Sequence, residues 1–186
     1  MKQTLVTEQK ILETVRTNIA EALRISAAKI TPEQSLIKDL GAESLDFLDM
    51  NYRMEQSFGI RTARHFVVEH VEEIFGEGAA VDENGRLTEK GVAVLGLRLG
   101  DQQDLQAGMA LEDVPSFVTV RAVASAIVDI LETLPERCTY CGQSQWKSDD
   151  GSHIHCGACG KAAVYASGDD LVKDWLRRIQ QEKNIF

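Results

Sequence analysis

The stretch DLGAESLDFLDMNYRMEQSFGI, residues Asp39–Ile60, decides how the chain is read. Asp39-Leu40-Gly41 has the composition of a turn. From Glu43 onward, Phe47, Met50, Met54 and Phe58 recur at helical spacing, with Leu45 and Leu48 beside that stripe. Asp46, Asp49, Arg53 and Gln56 take the other side, and Gly59 supplies a C-cap. Ser44 therefore stands at the start of a helix, among carboxylates. Serine is a common helix cap. As a catalytic nucleophile it would need a base. The four histidines, His65, His70, His153 and His155, are all remote from it in sequence, and no G-x-S-x-G elbow is present.

On the N-terminal side, Leu12, Val15, Ile19 and Leu23 mark a helix over about Val6–Ile25, and Thr31-Pro32-Glu33 punctuates the chain after it. On the other side, Phe66, Val67, Val71, Ile74 and Phe75 describe an amphipathic helix over Ala63–Phe75. GEGAAVDENG, Gly76–Gly85, reads as a flexible loop. Leu87–Leu99 is moderately helical, weakened by Gly91 and Gly96. Asp101–Pro115 is irregular or a single short turn. Thr119 can cap a further helix with Val123, Ile127, Ile130, Leu131 and Leu134 on its apolar face. DDLVKDWLRRIQQ, Asp169–Gln181, is an amphipathic helix with acids in its first turn and arginines later.

At 186 residues the chain has room for one ordinary domain and a small appendage. Its formal charge of −9 argues against a nucleic-acid surface and favours basic partners. The first residues contain no apolar signal core, and no run approaches the ~18 apolar residues of a membrane span. A cytoplasmic protein with reduced cysteines is the expectation.

The opening stretch resembles the modification site of acyl carrier proteins, a D-L-G-x-D-S-L-D pattern followed by F-G-I. Asp39, Leu40, Gly41, Ser44, Leu45, Asp46, Phe58, Gly59 and Ile60 match it in identity and spacing. TPEQSLIKDLG is similar to the family's first loop, and Val118–Leu131 to its last helix. The resemblance implies a helical bundle in which Ser44 carries 4'-phosphopantetheine, whose thiol holds acyl groups as thioesters. It implies service to fatty-acid, lipid or polyketide-type biosynthesis, and a carrier rather than an enzyme. It also implies that Glu43, Leu45, Asp46 and Asp49 face the phosphopantetheinyl transferase and acyl-processing enzymes. A phosphate at a helix N-terminus is physically well placed, and the hydroxyl is another enzyme's substrate, so no local base is required. Glu43 stands where the family has Asp, and Asn51 lies close to a position where it buries an aliphatic residue. The segment from Phe58 to Thr119 is far longer than the family's, either reshaping an acyl pocket or adding a stabilising helical layer. His65 and His70 within it read as surface or boundary residues.

CTYCGQSQWKSDDGSHIHCGACGKAAVY has a different grammar. Cys138-x2-Cys141 and Cys156-x2-Cys159, fourteen residues apart, form a metal-binding pattern. Gly142 and Gly160 directly after the pairs let backbone N–H groups approach the sulfurs. A closed four-thiolate zinc ribbon is expected, with iron the lesser option. His153 and His155 alternate on a strand into Cys156, and Trp146 and Tyr165 are contact residues or apolar support. Arg137, Lys147 and Lys161 form no basic stripe, so protein docking is the expected role.

The expected fold is mainly α: an acyl-carrier-type bundle with inserted helices, a small zinc ribbon with short β segments, and a final helix. Its boundaries are 1–135 for the carrier-like domain with an insertion at 61–116, 136–166 for the ribbon and 167–186 for the last helix. The alternative function is a zinc-ribbon interaction adaptor on a carrier-like fold that is never modified.

Overall fold

The structure, a computed structural model, describes residues 3–100 and 102–186. Residues 1–2 of the carrier-like span and Asp101, the first residue of the expected irregular stretch, lie outside the described residues. The architecture is mainly helical, with six α-helices and one two-stranded sheet among the described residues. In chain order the helices are α1 (Glu8–Leu23), α2 (Ser44–Phe58), α3 (Val67–Phe75), α4 (Glu89–Leu99), α5 (Val120–Leu131) and α6 (Gly168–Lys183). Strands β1 (Trp146–Lys147) and β2 (His155–Cys156) pair antiparallel between α5 and α6.

The chain divides into two compact units, each built from two separated segments: 1–62 with 119–168, and 63–118 with 169–186. In the first, α1 packs against both α2 and α5. Thr7 caps α1 by accepting the Lys10 N–H, and Thr119 caps α5 by accepting that of Ala122, as its sequence predicts. Ile11, Val15 and Ile19 of α1, Met54 and Phe58 of α2, and Ile127 and Leu131 of α5 are buried to within a few per cent. Gly59 closes α2 in the left-handed conformation. Asn51 is only half-buried. The buried amide is Asn18 on α1, which donates to Ser57 Oγ at 2.9 Å and lies 3.3 Å from Met54 Sδ.

The second unit has its own apolar core. Val68 and Val71 of α3, Leu95 of α4, Phe117 of a 3₁₀ segment (Leu111–Phe117), and Leu176 and Ile179 of α6 meet there. The insertion is thus a core shared with the last helix, which divides the chain differently from the sequence boundaries at 61–116 and 167–186. The loop Gly76–Gly85 is pinned rather than loose. The Glu72 carboxylate accepts the N–H groups of Gly78, Ala80 and Val81 at 2.6–3.0 Å, and Val81 bridges Leu87. Phe66 precedes α3 and is exposed, because the helix begins at Val67, four residues later than the expected start at Ala63. His70, expected at a surface or boundary, is 2% exposed; its two ring nitrogens face Glu73, three residues on, and Asp169, ninety-nine residues on. His65 is exposed.

Gly91 is explained by packing. A Cβ on it would lie 2.3 Å from the Ala80 carbonyl oxygen, whereas one on Gly96 would meet open space. Gly91→Ala is expected to destabilise the protein by about 1–3 kcal/mol through overpacking. Gly96→Ala is expected to be neutral or stabilising by up to about 1 kcal/mol through helix propensity. Thermal unfolding of the two variants checks this; equal midpoints would show that the close approach does not exist.

Candidate functional site

Ser44 is the first residue of α2, and its side chain is exposed. It does not cap the helix; Glu43 occupies the N-cap position with extended backbone. The Glu43 N–H donates to the Asp46 carboxylate at 2.8 Å, which commits Asp46 to holding the helix start. The Ser44 hydroxyl therefore projects beside a helix N-terminus, where the backbone dipole favours negative charge.

The carboxylates around it do not form a uniform free face. Asp49 accepts from Arg53 at 3.0 Å, and Arg53 reaches on to Glu21 of α1 at 2.6 Å. Glu55 accepts both the N–H and the hydroxyl of Thr62 at 3.0 Å. Glu43 is exposed, as is Leu45 at 78%. Leu48 and Tyr52, at 61% and 60%, continue from Leu45 along the same side. At about 100° per residue, positions 45, 48 and 52 lie opposite the buried stripe of Met50, Met54 and Phe58. Leu48 thus belongs to an exposed apolar ridge that starts next to Ser44, together with Tyr52, which no motif marks.

The four cysteines converge. Cys138 and Cys159 sulfurs lie 3.8 Å apart, and those of Cys141 and Cys156 3.6 Å apart. Tetrahedral bonds of about 2.3 Å place sulfurs about 3.8 Å from one another, so the cluster fits one ion of the zinc or iron class. Disulfide sulfurs would be about 2.05 Å apart. Both knuckles turn through a left-handed glycine, Gly142 and Gly160, whose N–H donates to the Cys138 and Cys156 carbonyls at 2.8 Å. The N–H groups of Cys159 and Ala158 aim at Cys156 and help draw its thiol down to about 7.

The ribbon is tied to its own unit by polar contacts. Trp146 Nε1 donates to the Pro135 carbonyl at 2.8 Å, which makes Trp146 support rather than a free contact residue. Burial raises the Tyr165 hydroxyl's pKa, as for a supporting side chain. Of the two histidines, only His155 lies in β2. His153 Nε2 sits 2.8 Å from the Gln56 carbonyl oxygen near the end of α2, and its Nδ1 lies 2.6 Å from Asp150. No sequence pattern announces that bond; the partner is a main-chain atom 97 positions away.

Residues 13–74 match the family described as phosphopantetheine attachment site. Acyl carrier proteins from two strains of Helicobacter pylori are 42% and 40% identical to this chain over 50 residues, covering 27% of it and 64% of them. The chain therefore spans a little under two thirds of the length of these relatives. The resemblance to acyl carrier proteins is borne out over this segment, which contains Ser44 and the whole of α2. Val118–Leu131 lies outside the matched residues. No solved structure matches the chain.

The contact with Asp150, aided by the Gln56 carbonyl, raises the His153 pKa above 6.5. A raised folded-state pKa gives stabilisation that is complete below the unfolded value, about 6.5, and lost as pH rises through the folded value. An NMR titration is expected to place the His153 ring above 6.5, and Asp150→Asn to bring it down. Identical midpoints in the two proteins would show that Asp150 does not hold the ring.

Proposed function

We propose that the chain is an acyl carrier with Ser44 as its phosphopantetheine attachment residue. The observation that carries this reading is an exposed serine at the first position of a helix, inside a segment that matches the attachment-site family. The arm, when bound, supplies a thiol on which an acyl group is held as a thioester. The protein's own contribution is to present the Ser44 Oγ, to stabilise the phosphodiester with the N-terminus of α2, and to offer a docking face. Its role is non-enzymatic and cytoplasmic, in fatty-acid, lipid or polyketide-type biosynthesis. Glu43 and Leu45, with Asp46 and Asp49 beside them, address the phosphopantetheinyl transferase and acyl-processing enzymes. The exposed Leu48 and Tyr52 extend that face and make it more apolar than its charge implies.

Cys138, Cys141, Cys156 and Cys159 hold zinc, with iron the lesser alternative. The ribbon is too small to fold on its apolar residues alone, and metal supplies the difference. An adaptor reading, in which Ser44 is never modified, draws support from exposed Tyr140 and Val164 on the ribbon, at 63% and 46%.

Intact mass after co-expression with a phosphopantetheinyl transferase separates the two. The expected result is a gain of one phosphopantetheinyl group, absent from Ser44→Ala. An unmodified wild type favours the adaptor, and a modified Ser44→Ala removes the assignment to this residue. For the ribbon, metal analysis is expected to find one thiolate-bound ion. Chelation is expected to abolish amide protection at Trp146–Lys147 and His155–Cys156; protection that survives complete metal removal would contradict the proposed folding role.

A further inference from the structure

We propose that His65, His70 and Asp169 form a second metal site, for a divalent transition ion, within the unit made by residues 63–118 and 169–186. The three side chains bring one donor atom each to within 4.8 Å of one another. His70 is buried, and its two nitrogens face different carboxylates. Nδ1 lies 3.3 Å from Glu73 Oε2, while the other oxygen of Glu73 is held by Lys173 at 2.7 Å. Nε2 lies 2.9 Å from Asp169 Oδ1. His65 Nδ1 lies 3.6 Å from that same oxygen, and the two imidazole rings meet edge-on with centroids 5.5 Å apart.

Glu73 sets the chemistry. A carboxylate faces each His70 nitrogen, and a neutral ring carries one proton, so one nitrogen presents a lone pair. With the proton on Nδ1 toward Glu73, Nε2 is the free donor toward Asp169, and an ion held by both replaces the proton that otherwise joins them at 2.9 Å. Metal-ligating histidines commonly pass their other N–H to a carboxylate in this way, which fixes the tautomer and raises ligand basicity. Bonds of about 2.0–2.2 Å in a tetrahedron set donors about 3.4 Å apart, and the observed 2.9 and 3.6 Å bracket that value. Asp169 is positioned independently of any ion, since it also accepts the N–H groups of Arg64 and His65 at 3.1 and 3.2 Å. Three protein donors leave a fourth position for water or a ligand. With two imidazoles, one carboxylate and no thiolate, the set differs in kind from the cysteine cluster and suits zinc, cobalt, nickel or ferrous iron.

The test uses the full chain at micromolar free zinc, and cobalt as a spectroscopic substitute. The expected result is one metal equivalent without thiolate charge-transfer bands, in addition to any bound by the cysteines. His65→Ala, at an exposed position, is expected to lose that equivalent and leave the thiolate bands intact. Glu73→Ala is expected to weaken it by about 10–100-fold. The proposal is overturned if wild-type protein binds no equivalent lacking thiolate bands, the result expected if a proton alone sits between His70 and Asp169. It is equally overturned if that equivalent persists unchanged in both His65→Ala and Asp169→Asn.

Discussion

The apolar stripe of α6 is the contact on which the organisation of the chain turns. Val172, Leu176 and Ile179 recur at i, i+4 and i+7 and enter the core formed with α3, α4 and the Leu111–Phe117 segment. Helices of nine and eleven residues, the lengths of α3 and α4, are marginal by themselves in water. They persist because tertiary burial replaces what their length lacks. The last residues add to this: Phe186 stacks on Phe75 with ring centroids 4.3 Å apart. The first unit closes on α5 and is discontinuous because residues 63–118 interrupt it; the second is discontinuous because α6 joins it.

Helix α2 serves two environments with one periodicity. Its inner side buries Met50, Met54 and Phe58, while Leu45, Leu48 and Tyr52 stand outward at roughly 60–80% exposure. Between the two sides, polar side chains hold the helix in place: Asp46 its first turn, Arg53 its link to α1, and Glu55 the chain beyond Gly59. Exposed ion pairs of this kind contribute little stability each, and fix orientation more than energy. Acid density in the sequence therefore overstates the charge available to a partner. The apolar ridge, which the linear sequence disguises, is the larger unpartnered feature beside Ser44.

Local chemistry makes much of this legible in the sequence. Thr119 capping α5, Gly59 closing α2 and the two Cys pairs are short-range signals, and each appears where its residues place it. The amphipathic pattern of α6 shows that it buries a face, but nothing in that pattern names the core that receives it. The same limit applies to His70, whose burial depends on Asp169 ninety-nine positions away, and to the Val81–Leu87 and Arg86–Ala110 bridges that shape the insertion. Angular position was available from the sequence but needed separation from mere neighbourhood: Leu48 sits next to Phe47 in the chain, about 100° away around the helix, and is exposed while Phe47 is half-buried. Discontinuous units are the least legible feature, because composition marks where a segment's grammar changes and not what it packs against.

The ribbon's attachment follows from its size. Cys138, Ile154, Cys156 and Ala163 are nearly all the apolar burial it has, so convergence of thiolates and a few directed hydrogen bonds must hold it. Those bonds run to main-chain carbonyls, Gln56 for His153 and Pro135 for Trp146, which stay available whatever side chains surround them. The first lies close to the C-terminal end of α2. At about 1.5 Å per residue, Gln56 is about 18 Å along the helix axis from Ser44. A tether there leaves the first turn of α2 uncovered. The serine and the head of the apolar ridge stay open at one end of the helix, while the ribbon occupies the other.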